Sequence, residues 1–337
     1  MKHKPTSLDI AHLAGVSQST VSRALNDSPL VNIETRRKVQ EIASQLNYQV
    51  DKNASNLRRQ RSNTIALLLF EDPTSDDSLV NPFFLAMLGS ITRACAAKGY
   101  DLLVSFQDLD SNWQALYEDS HKADGLILLG YGDYRSYAGK LTQLRQQNTH
   151  VMRWGAPVEM SPGISIGCDN VSGGQSITAH LLSHGYKRFT FIGDIGDKAP
   201  EFQGRYEGFV STLPSEASHT QLAAISTQDA GASAATQLLN AGSLPDAIVC
   251  AADIIAVGVL KTLNDAGISV PGDVAVVGFD NIQVAALTTP TLTTVQQNTS
   301  QAGEMLVENL LLAINNQPTR DHLLPATLIV RQSCGCR

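Results

Sequence analysis

Five polar side chains occupy one side of a short predicted helix near the N-terminus. Val21 and Ala24 recur at helical spacing and are expected to face a core, with Leu25 beside them. The side chains left on the polar side are Gln18, Ser19, Ser22, Arg23 and Asn26. Amide, hydroxyl and guanidinium groups of this kind can reach base edges and phosphates in the major groove of DNA. The pattern therefore predicts a DNA-reading helix, with plain solvent exposure as the alternative for the polar face taken alone.

Three short helices are predicted to hold this polar face in position. The first has apolar residues at helical spacing, namely Leu8, Ile10, Ala11, Leu13 and Ala14. Gly15 suits the left-handed cap that ends a helix, and Ser17 suits the N-cap of a second helix over Gln18–Leu25. A third helix begins after Asn32 and carries Val39, Ile42, Ala43 and Leu46 on one face. This arrangement predicts a helix-turn-helix unit, in which Thr20 either bonds a phosphate or closes the turn.

The charge distribution separates this N-terminal head from the rest of the chain. The formal net charge of the protein is −7, which alone argues weakly against a nucleic-acid partner. Residues 1–61 hold ten basic and five acidic side chains, whereas the remainder holds 15 basic and 27 acidic ones. A basic head on an acidic body is expected for a DNA-binding protein with a separate regulatory domain.

From residue 63 onward the pattern alternates between buried strands and helices. Apolar runs predict strands at 64–70, 101–106, 125–129, 149–153, 189–193, 247–250 and 274–278. Helical patterns lie between them, at about 82–98, 171–184, 201–213, 232–241 and 254–266. Alternation of this kind predicts an α/β fold with parallel sheets covered by helices on both faces. In such sheets ligands bind at the carboxyl ends of the strands.

Composition bounds the remaining possibilities. The hydrophobic fraction of 43% and the charged fraction of 17% are typical of a folded globular protein. The first residues lack the apolar run of a signal peptide, and no stretch approaches the roughly 20 apolar residues of a membrane span. Five scattered cysteines fit a reducing compartment without a disulfide framework, so we expect a bacterial cytoplasmic protein, nucleoid-associated when bound to DNA. Cys334 and Cys336 are expected to lie in a frayed tail.

The head and the body both resemble the LacI/GalR family of bacterial regulators. The head matches through Asp9-Ile10-Ala11, Leu13-Ala14-Gly15-Val16-Ser17 and Thr20-Val21-Ser22-Arg23. The longest match in the body is Val270-Pro271-Gly272-Asp273-Val274-Ala275-Val276-Val277-Gly278-Phe279-Asp280. The resemblance implies that Gln18, Ser19 and Arg23 read bases. It also implies a body like a periplasmic sugar-binding protein, with two doubly wound α/β subdomains. The chain is expected to cross between these subdomains near residues 163–169, 290–298 and 325–330.

The resemblance divides the chain into a helix-turn-helix domain at 1–48, a hinge at 49–62 and an effector-binding and dimerisation domain at 63–337. In the family, two hinge helices fold together on DNA and paired leucines wedge into a minor-groove base step, for which Leu57 is the equivalent here. Val50 and Asp51 replace the usual proline and asparagine, and Ser55 replaces a frequent arginine or glutamine. The full set expected to bind DNA is Ser7, Ser17, Gln18, Ser19, Thr20, Ser22, Arg23, Asn26, Asn32, Tyr48, Asn53, Ala54, Leu57 and Arg58.

The same resemblance implies a small-molecule effector between the two subdomains of the body. Arg205 offers a planar set of donors, and the Asp280 carboxylate can accept from two hydroxyl groups. A structural ion pair is the alternative for both, and core packing or stacking on a sugar are alternatives for the aromatics. The expected effector-binding residues are Asn81, Phe84, Tyr131, Trp154, Arg205, Asp253, Asp280 and Gln297. Ser226 stands where relatives often carry a stacking aromatic.

Two other classes of protein were weighed against a regulator. An enzyme is disfavoured because no catalytic motif or metal-site spacing is present, and no cofactor is expected. A transport-type binding protein would explain the body but needs an export signal and would not carry the head. The expectation is a homodimeric repressor that binds a pseudo-palindromic operator in double-stranded DNA. A small molecule, by family habit a mono- or oligosaccharide, controls its operator affinity, with the sign of that control open and no membrane involved.

Overall fold

A computed structural model describes residues 5–48, 61–69, 81–106, 112–130, 138–157, 164–196 and 199–335. The chain divides into two compact units, a head at Met1–Ser62 and a body at Asn63–Arg337. The predicted hinge falls almost wholly outside the described residues. We therefore describe the head and the body separately.

The head contains three helices around a small apolar core. Helix α1 spans Ser7–Ala14, α2 spans Gln18–Leu25 and α3 spans Ile33–Gln45. Gly15 ends α1 in the left-handed conformation at φ 70°, which a residue with a Cβ rarely adopts. The side chains of Ser17 and Asn32 each accept a backbone N–H from the first turn of the following helix. These caps fix the turn that sets α2 against α1.

The apolar stripe of α1 is narrower than predicted. Ile10, Ala11 and Ala14 are buried, but Leu8 and Leu13 are 62% and 56% exposed. At about 100° per residue, the three buried positions fall within one arc of the helix and the two leucines fall outside it. The helical spacing of the five residues is as predicted, but only Ile10, Ala11 and Ala14 face the core.

The body has two lobes, each built on a six-stranded sheet. Lobe A contains β1 Thr64–Leu69, β2 Asp101–Phe106, β3 Gly125–Leu129, β4 Val151–Trp154, β5 Ile164–Cys168 and β11 His322–Leu324. Its strands are all parallel, in the order β2-β1-β3-β4-β5-β11. Its helices are α4 Pro82–Ala97, α5 Trp113–Tyr117, α6 Ala138–Gln146 and α11 Thr299–Ile314.

Lobe B repeats the same strand order. It contains β6 Arg188–Ile192, β7 Ser218–Leu222, β8 Ala247–Cys250, β9 Ala275–Asp280, β10 Thr293–Gln297 and β12 Ala326–Ile329. The order is β7-β6-β8-β9-β10-β12, and only β12 runs antiparallel to its neighbour. Its helices are α7 Asn170–Ser183, α8 Pro200–Thr212, α9 Gln228–Asn240 and α10 Asp253–Asp265, with a 3-10 turn at Gln283–Ala286.

The chain passes between the lobes three times. It crosses from β5 to α7, from β10 back to α11, and from β11 to β12. Helix α11 belongs to lobe A, because it packs on α4 and on the β3 and β4 strands. Strands β5 and β10 both end where the chain crosses to the other lobe. The carboxyl ends of the parallel strands in both sheets therefore face the cleft between the lobes.

Two helix pairs of lobe B cross closely enough to require glycine. A Cβ on Gly174 of α7 would collide with the carbonyl oxygen of Arg205 in α8, and one on Gly208 would collide with the carbonyl of Val171. Likewise, a Cβ on Gly258 of α10 would collide with the carbonyl oxygen of Gln228 in α9. Each pair therefore packs backbone against backbone.

The C-terminal cysteine motif is not frayed at its first residue. Cys334 is fully buried, and its sulfur lies 3.0 Å from the Thr293 hydroxyl and 3.3 Å from Nε2 of His180. Ser333 accepts the backbone N–H of Thr293, which ties this segment to β10. The prediction of a frayed tail was therefore wrong for Cys334, because the preceding serine anchors the chain to the sheet. Cys336 lies outside the described residues.

Candidate functional site

The polar face of α2 is open to solvent, as a base-reading surface requires. Gln18, Ser19, Ser22, Arg23 and Asn26 are exposed, while Val21 and Ala24 are fully buried beneath them. The buried pair packs with Ile10 of α1 and Val39 of α3. Burial of one stripe thus orients the opposite stripe towards solvent.

Hydrogen bonds at the start of α2 order several of the predicted DNA-binding side chains. The Ser17 hydroxyl lies 2.8 Å from both the Ser19 and the Thr20 hydroxyls. Gln18 donates from Nε2 to the Ser7 hydroxyl at 2.8 Å, which joins α2 to α1. Thr20 is half-buried, so its contacts favour the turn-closing role of the two that its sequence position leaves open.

Two other predicted contact residues have structural roles in the described head. Asn32 caps α3 by accepting the backbone N–H of Thr35 at 2.7 Å. Tyr48 is half-buried and packs against the head core. Of the remaining predictions, Asn53, Ala54, Leu57 and Arg58 in the hinge and Tyr131 in the body lie outside the described residues.

In the body, Arg205 is the centre of a buried polar cluster. Its guanidinium donates from Nε to Oδ1 of Asn170 at 2.9 Å and from Nη1 to the carbonyl of Ala251. Nη1 also lies 3.3 Å from Oδ1 of Asp280, with both side chains 5–6% exposed. The guanidinium carbon lies 3.9 Å from the centre of the Phe279 ring, which covers one face of the cation.

Asp280 is held by two partners at the carboxyl end of β9. Gln297 donates from Nε2 to Oδ1 of Asp280 at 2.6 Å, and Arg205 pairs with the same oxygen. Burial raises the pKa of the Asp280 carboxyl to about 6, against the opposing effect of Arg205 and Gln297. The carboxylate is therefore ionised at neutral pH and close to its titration range in mildly acidic solution.

Asp253 lies beneath this cluster and is fully buried. Its carboxylate accepts the Thr294 hydroxyl at 2.6 Å on one oxygen and the backbone N–H of Ile282 at 2.9 Å on the other. Burial, reinforced by the nearby charge of Asp280, raises its pKa well above the usual value for aspartate. These contacts favour a role for Asp253 in joining α10 to β10 and the loop after β9.

Lobe A contributes aromatic and amide side chains at the cleft. Asn81 caps α4 by accepting the backbone N–H of Phe83 at 2.9 Å. Phe83 lies edge-on to Phe84 at 5.5 Å and beside the Trp154 ring at 6.0 Å, measured between ring centroids. Trp154 ends β4, and all of these side chains are buried.

Three residues that the sequence analysis did not select belong to the cluster. Asn170 orients Arg205, and Phe279 and Phe202 lie on its guanidinium. Phe279 could have been selected as the neighbour of Asp280 in the family match, and Asn170 follows directly after the predicted chain crossing at 163–169. Phe202 had no comparable sequence signal, because its contact depends on how α8 packs.

Comparisons with known proteins match both units of the chain. Residues 6–51 match the model of bacterial regulatory proteins of the lacI family, and residues 178–334 match that of the periplasmic binding protein-like domain. The HTH-type transcriptional repressor MelR of Bacillus subtilis (strain 168) is 30% identical over 342 residues, covering 97% of this chain and 97% of MelR. Within the described residues, no helix is long and apolar enough to span a membrane.

Solved structures share the fold over nearly the whole chain. The lac repressor dimer bound to operator and the anti-inducer ONPF superposes with a TM-score of 0.81 at 23% identity, covering 98% of this chain and 99% of that one. The complex of the transcriptional regulator CelR with cellobiose superposes with a TM-score of 0.70 at 26% identity, covering 98% and 99%.

Proposed function

This chain belongs to the LacI family of bacterial regulatory proteins, and from that premise we propose that it is a DNA-binding transcriptional repressor controlled by a small molecule. The observation that carries the proposal is the outward polar face of α2 in a helix-turn-helix head. That head precedes a body with two lobes and a buried polar cluster at the strand ends of lobe B. A regulator needs both parts, whereas an enzyme or a transport protein would not need the head.

The DNA-binding part of the proposal places a homodimer on a pseudo-palindromic operator. Each α2 lies in a major groove, with Gln18, Ser19 and Arg23 at base edges, and the hinge segments lie in the minor groove between. Arg23 favours a guanine, because its guanidinium can donate to O6 and N7 together. The effector binds one state of the body better than the other and so shifts operator affinity.

The charge of the body cluster favours an uncharged effector. Arg205 is the cation of the cluster, and Asp280 already neutralises it at 3.3 Å. Asp253 adds a carboxyl group nearby rather than a second positive charge. A phosphate or carboxylate would thus meet no surplus positive charge from Arg205, whereas hydroxyl groups would find donors and acceptors in the cluster. We propose a mono- or oligosaccharide without an acidic group.

Fluorescence anisotropy on an operator selected from a random duplex library tests the proposal. Arg23→Ala is expected to weaken operator binding by about 1–3 kcal/mol and to relax base preference at one position of each half-site. Arg37→Ala, on an exposed face of α3, is the matched control for loss of one positive charge. Binding should weaken steeply with salt. Selection of no duplex, or equal effects of both variants, would contradict the proposal.

A thermal-shift screen against neutral sugars, sugar phosphates and sugar acids tests the effector class. A neutral sugar at about 100 times its dissociation constant should add roughly 2.7 kcal/mol to the free energy of unfolding. Asp280→Asn should abolish the shift, and Asp265→Asn on the exposed end of α10 should retain it. A shift given by acidic sugars alone would contradict the charge argument.

We further propose that the protein has no enzymatic activity and acts in the cytoplasm, associated with the nucleoid when bound to operator.

A further inference from the structure

A hydrogen bond joins the two lobes of the body across the cleft. Asn81 begins α4 in lobe A, and Ser226 lies between β7 and α9 in lobe B, 145 positions away. The Asn81 Nδ2 atom donates to the Ser226 hydroxyl at 3.2 Å. The two side chains are 5% and 6% exposed, so little water competes for this bond.

The direction of the Asn81 amide is set by the chain itself. Its Oδ1 atom accepts the backbone N–H of Phe83 at 2.9 Å, which caps α4. With the oxygen occupied on the helix side, the NH₂ group faces lobe B. Ser226 has a short side chain and brings its hydroxyl to that NH₂ group. The contact is therefore built from a fixed donor and a nearby acceptor rather than from two mobile surface chains.

The Arg205–Asp280 cluster lies at the same edge of the lobe B sheet as Ser226, because the parallel strands β7 and β9 both end there, and it is closed to solvent. Arg205, Asp280 and Gln297 are 5–6% exposed, and their polar atoms bond to one another. Asp280 and Gln297 end strands β9 and β10 at the edge of lobe B from which the chain crosses to lobe A, so the cluster is reached from between the lobes. The three chain crossings join the lobes and can bend to let the lobes move apart.

We infer that the Asn81–Ser226 hydrogen bond is a latch that holds the lobes closed and controls access to the Arg205–Asp280 cluster. Ser226 acts as a positioning residue: it sets how often the cleft opens. This inference rests on the proposed function only in treating the cluster as the effector site. Removing one buried neutral hydrogen bond is expected to shift the ratio of closed to open bodies about fivefold toward the open form.

Acrylamide quenching of tryptophan fluorescence in the full chain tests the latch without DNA or effector. The sequence has two tryptophans. Trp154 lies at the carboxyl end of β4 beside Phe83, whereas Trp113 is buried in a separate cluster on the other face of the sheet and gives a constant background. Opening the lobes exposes Trp154 to acrylamide and increases the radius of gyration measured by small-angle X-ray scattering.

Ser226→Ala is the test variant, because it removes the acceptor and leaves the α4 cap intact. Ser90→Ala is the matched control, since Ser90 is equally buried but donates within its own helix, to the carbonyl of Ala86 at 3.0 Å. Ser226→Thr retains the hydroxyl and should restore wild-type quenching. We expect faster quenching and a larger radius of gyration in Ser226→Ala alone.

Two outcomes would overturn the latch. Either Ser226→Ala matches wild type in both measurements, or Ser90→Ala changes them as much as Ser226→Ala does. A general loss of stability is recognised separately by urea unfolding of the same variants, and Ser226→Thr then decides whether the hydroxyl matters. Failure of the proposed function would instead appear as loss of selective operator binding, which this experiment does not measure.

Discussion

At the scale of single residues, aspartates in equivalent places begin the third strand of each lobe. Asp124 precedes β3 and accepts the backbone N–H of Asn63 at 3.0 Å. Asp246 precedes β8 and accepts the backbone N–H groups of Lys187 and Arg188, both at 2.9 Å. The Arg188 guanidinium adds two bonds to the other oxygen of Asp246. One carboxylate thus sets the register of two neighbouring parallel strands.

Asp246→Asn is expected to lower the free energy of unfolding by about 1–2 kcal/mol at pH 7. Burial opposes ionisation of Asp246, but the backbone N–H groups and Arg188 outweigh it and lower its pKa below 3.8. A lowered folded-state pKa gives stability that is present above the unfolded pKa and lost as the pH falls through the folded one. Urea unfolding at pH 7 and pH 3 should show the difference between wild type and variant shrinking at pH 3. An unchanged difference would contradict this account.

Asp280 should make effector binding sensitive to mild acid. Its pKa is about 6, raised mainly by burial, so protonation below that pH removes the charge that faces Arg205 and an acceptor for ligand hydroxyls. Effector affinity, measured by calorimetry with the best neutral sugar from the screen, is expected to fall about tenfold per pH unit well below pH 6 if binding needs the ionised form. Constant affinity from pH 7.5 to pH 5 would exclude that requirement.

At the scale of elements, several helices and strands that bury a regular apolar pattern could be predicted from the sequence. The predicted bounds of α2, β3 and β8 are those observed, because their buried apolar residues, and the cap of α2, define where each element begins and ends. The bounds of β2 are also as predicted, although its side chains are largely exposed. The apolar runs did not predict five strands. β5 and β10 contain polar residues although they are mostly buried, the polar strand β7 lies at a sheet edge, and β11 and β12 are three and four residues long. Helix α11 was also missed, although it buries Leu306 and Leu310.

The candidate sites also differ in how far the sequence predicts them, because one is formed by a single helix and the other by distant segments. The polar face of α2 could be read from local sequence, since one helix forms it. The bonds of Arg205 to Asn170 and Asp280, and the pairing of Asn81 with Ser226, join segments far apart in the chain. Their geometry depends on helix crossings and sheet order, which periodicity does not specify. The roles of the hinge residues stay predictions.

The backbone contact between α9 and α10 provides a test at this scale. Gly258→Ala places a methyl group against the carbonyl oxygen of Gln228, so the helices must separate, at a cost of about 1–3 kcal/mol in unfolding free energy. Gly89→Ala is the matched control, because a Cβ on Gly89 in α4 meets nothing within 4 Å. That variant should gain about 0.5–1 kcal/mol from helix propensity. Equal changes in the two thermal melts would contradict the packing account.

At the scale of the whole molecule, operator binding is proposed to depend on the hinge as well as on the head. Leu57, equivalent to the family's minor-groove wedge, is expected to bury its side chain between base pairs, a contribution of about 1.5–3 kcal/mol. Leu57→Ala should therefore weaken operator binding tenfold or more and reduce the bend seen by fluorescence resonance energy transfer across the operator. Gln60→Ala is the control. Wild-type binding and bending by Leu57→Ala would remove the wedge from the mechanism.

The three chain crossings impose an order on biosynthesis. Lobe B from α7 to β10 is one continuous stretch, so five of its six strands are available once residue 297 has left the ribosome, and only β12 follows later. Lobe A begins much earlier in the chain, yet α4 lacks its packing partner until α11 is made, and the sheet edge at β5 stays open until β11 follows. Lobe A therefore waits, with the packing face of α4 uncovered, until residues 299–324 have been made. Nascent chains arrested between residues 170 and 298 should consequently be the ones most dependent on chaperones.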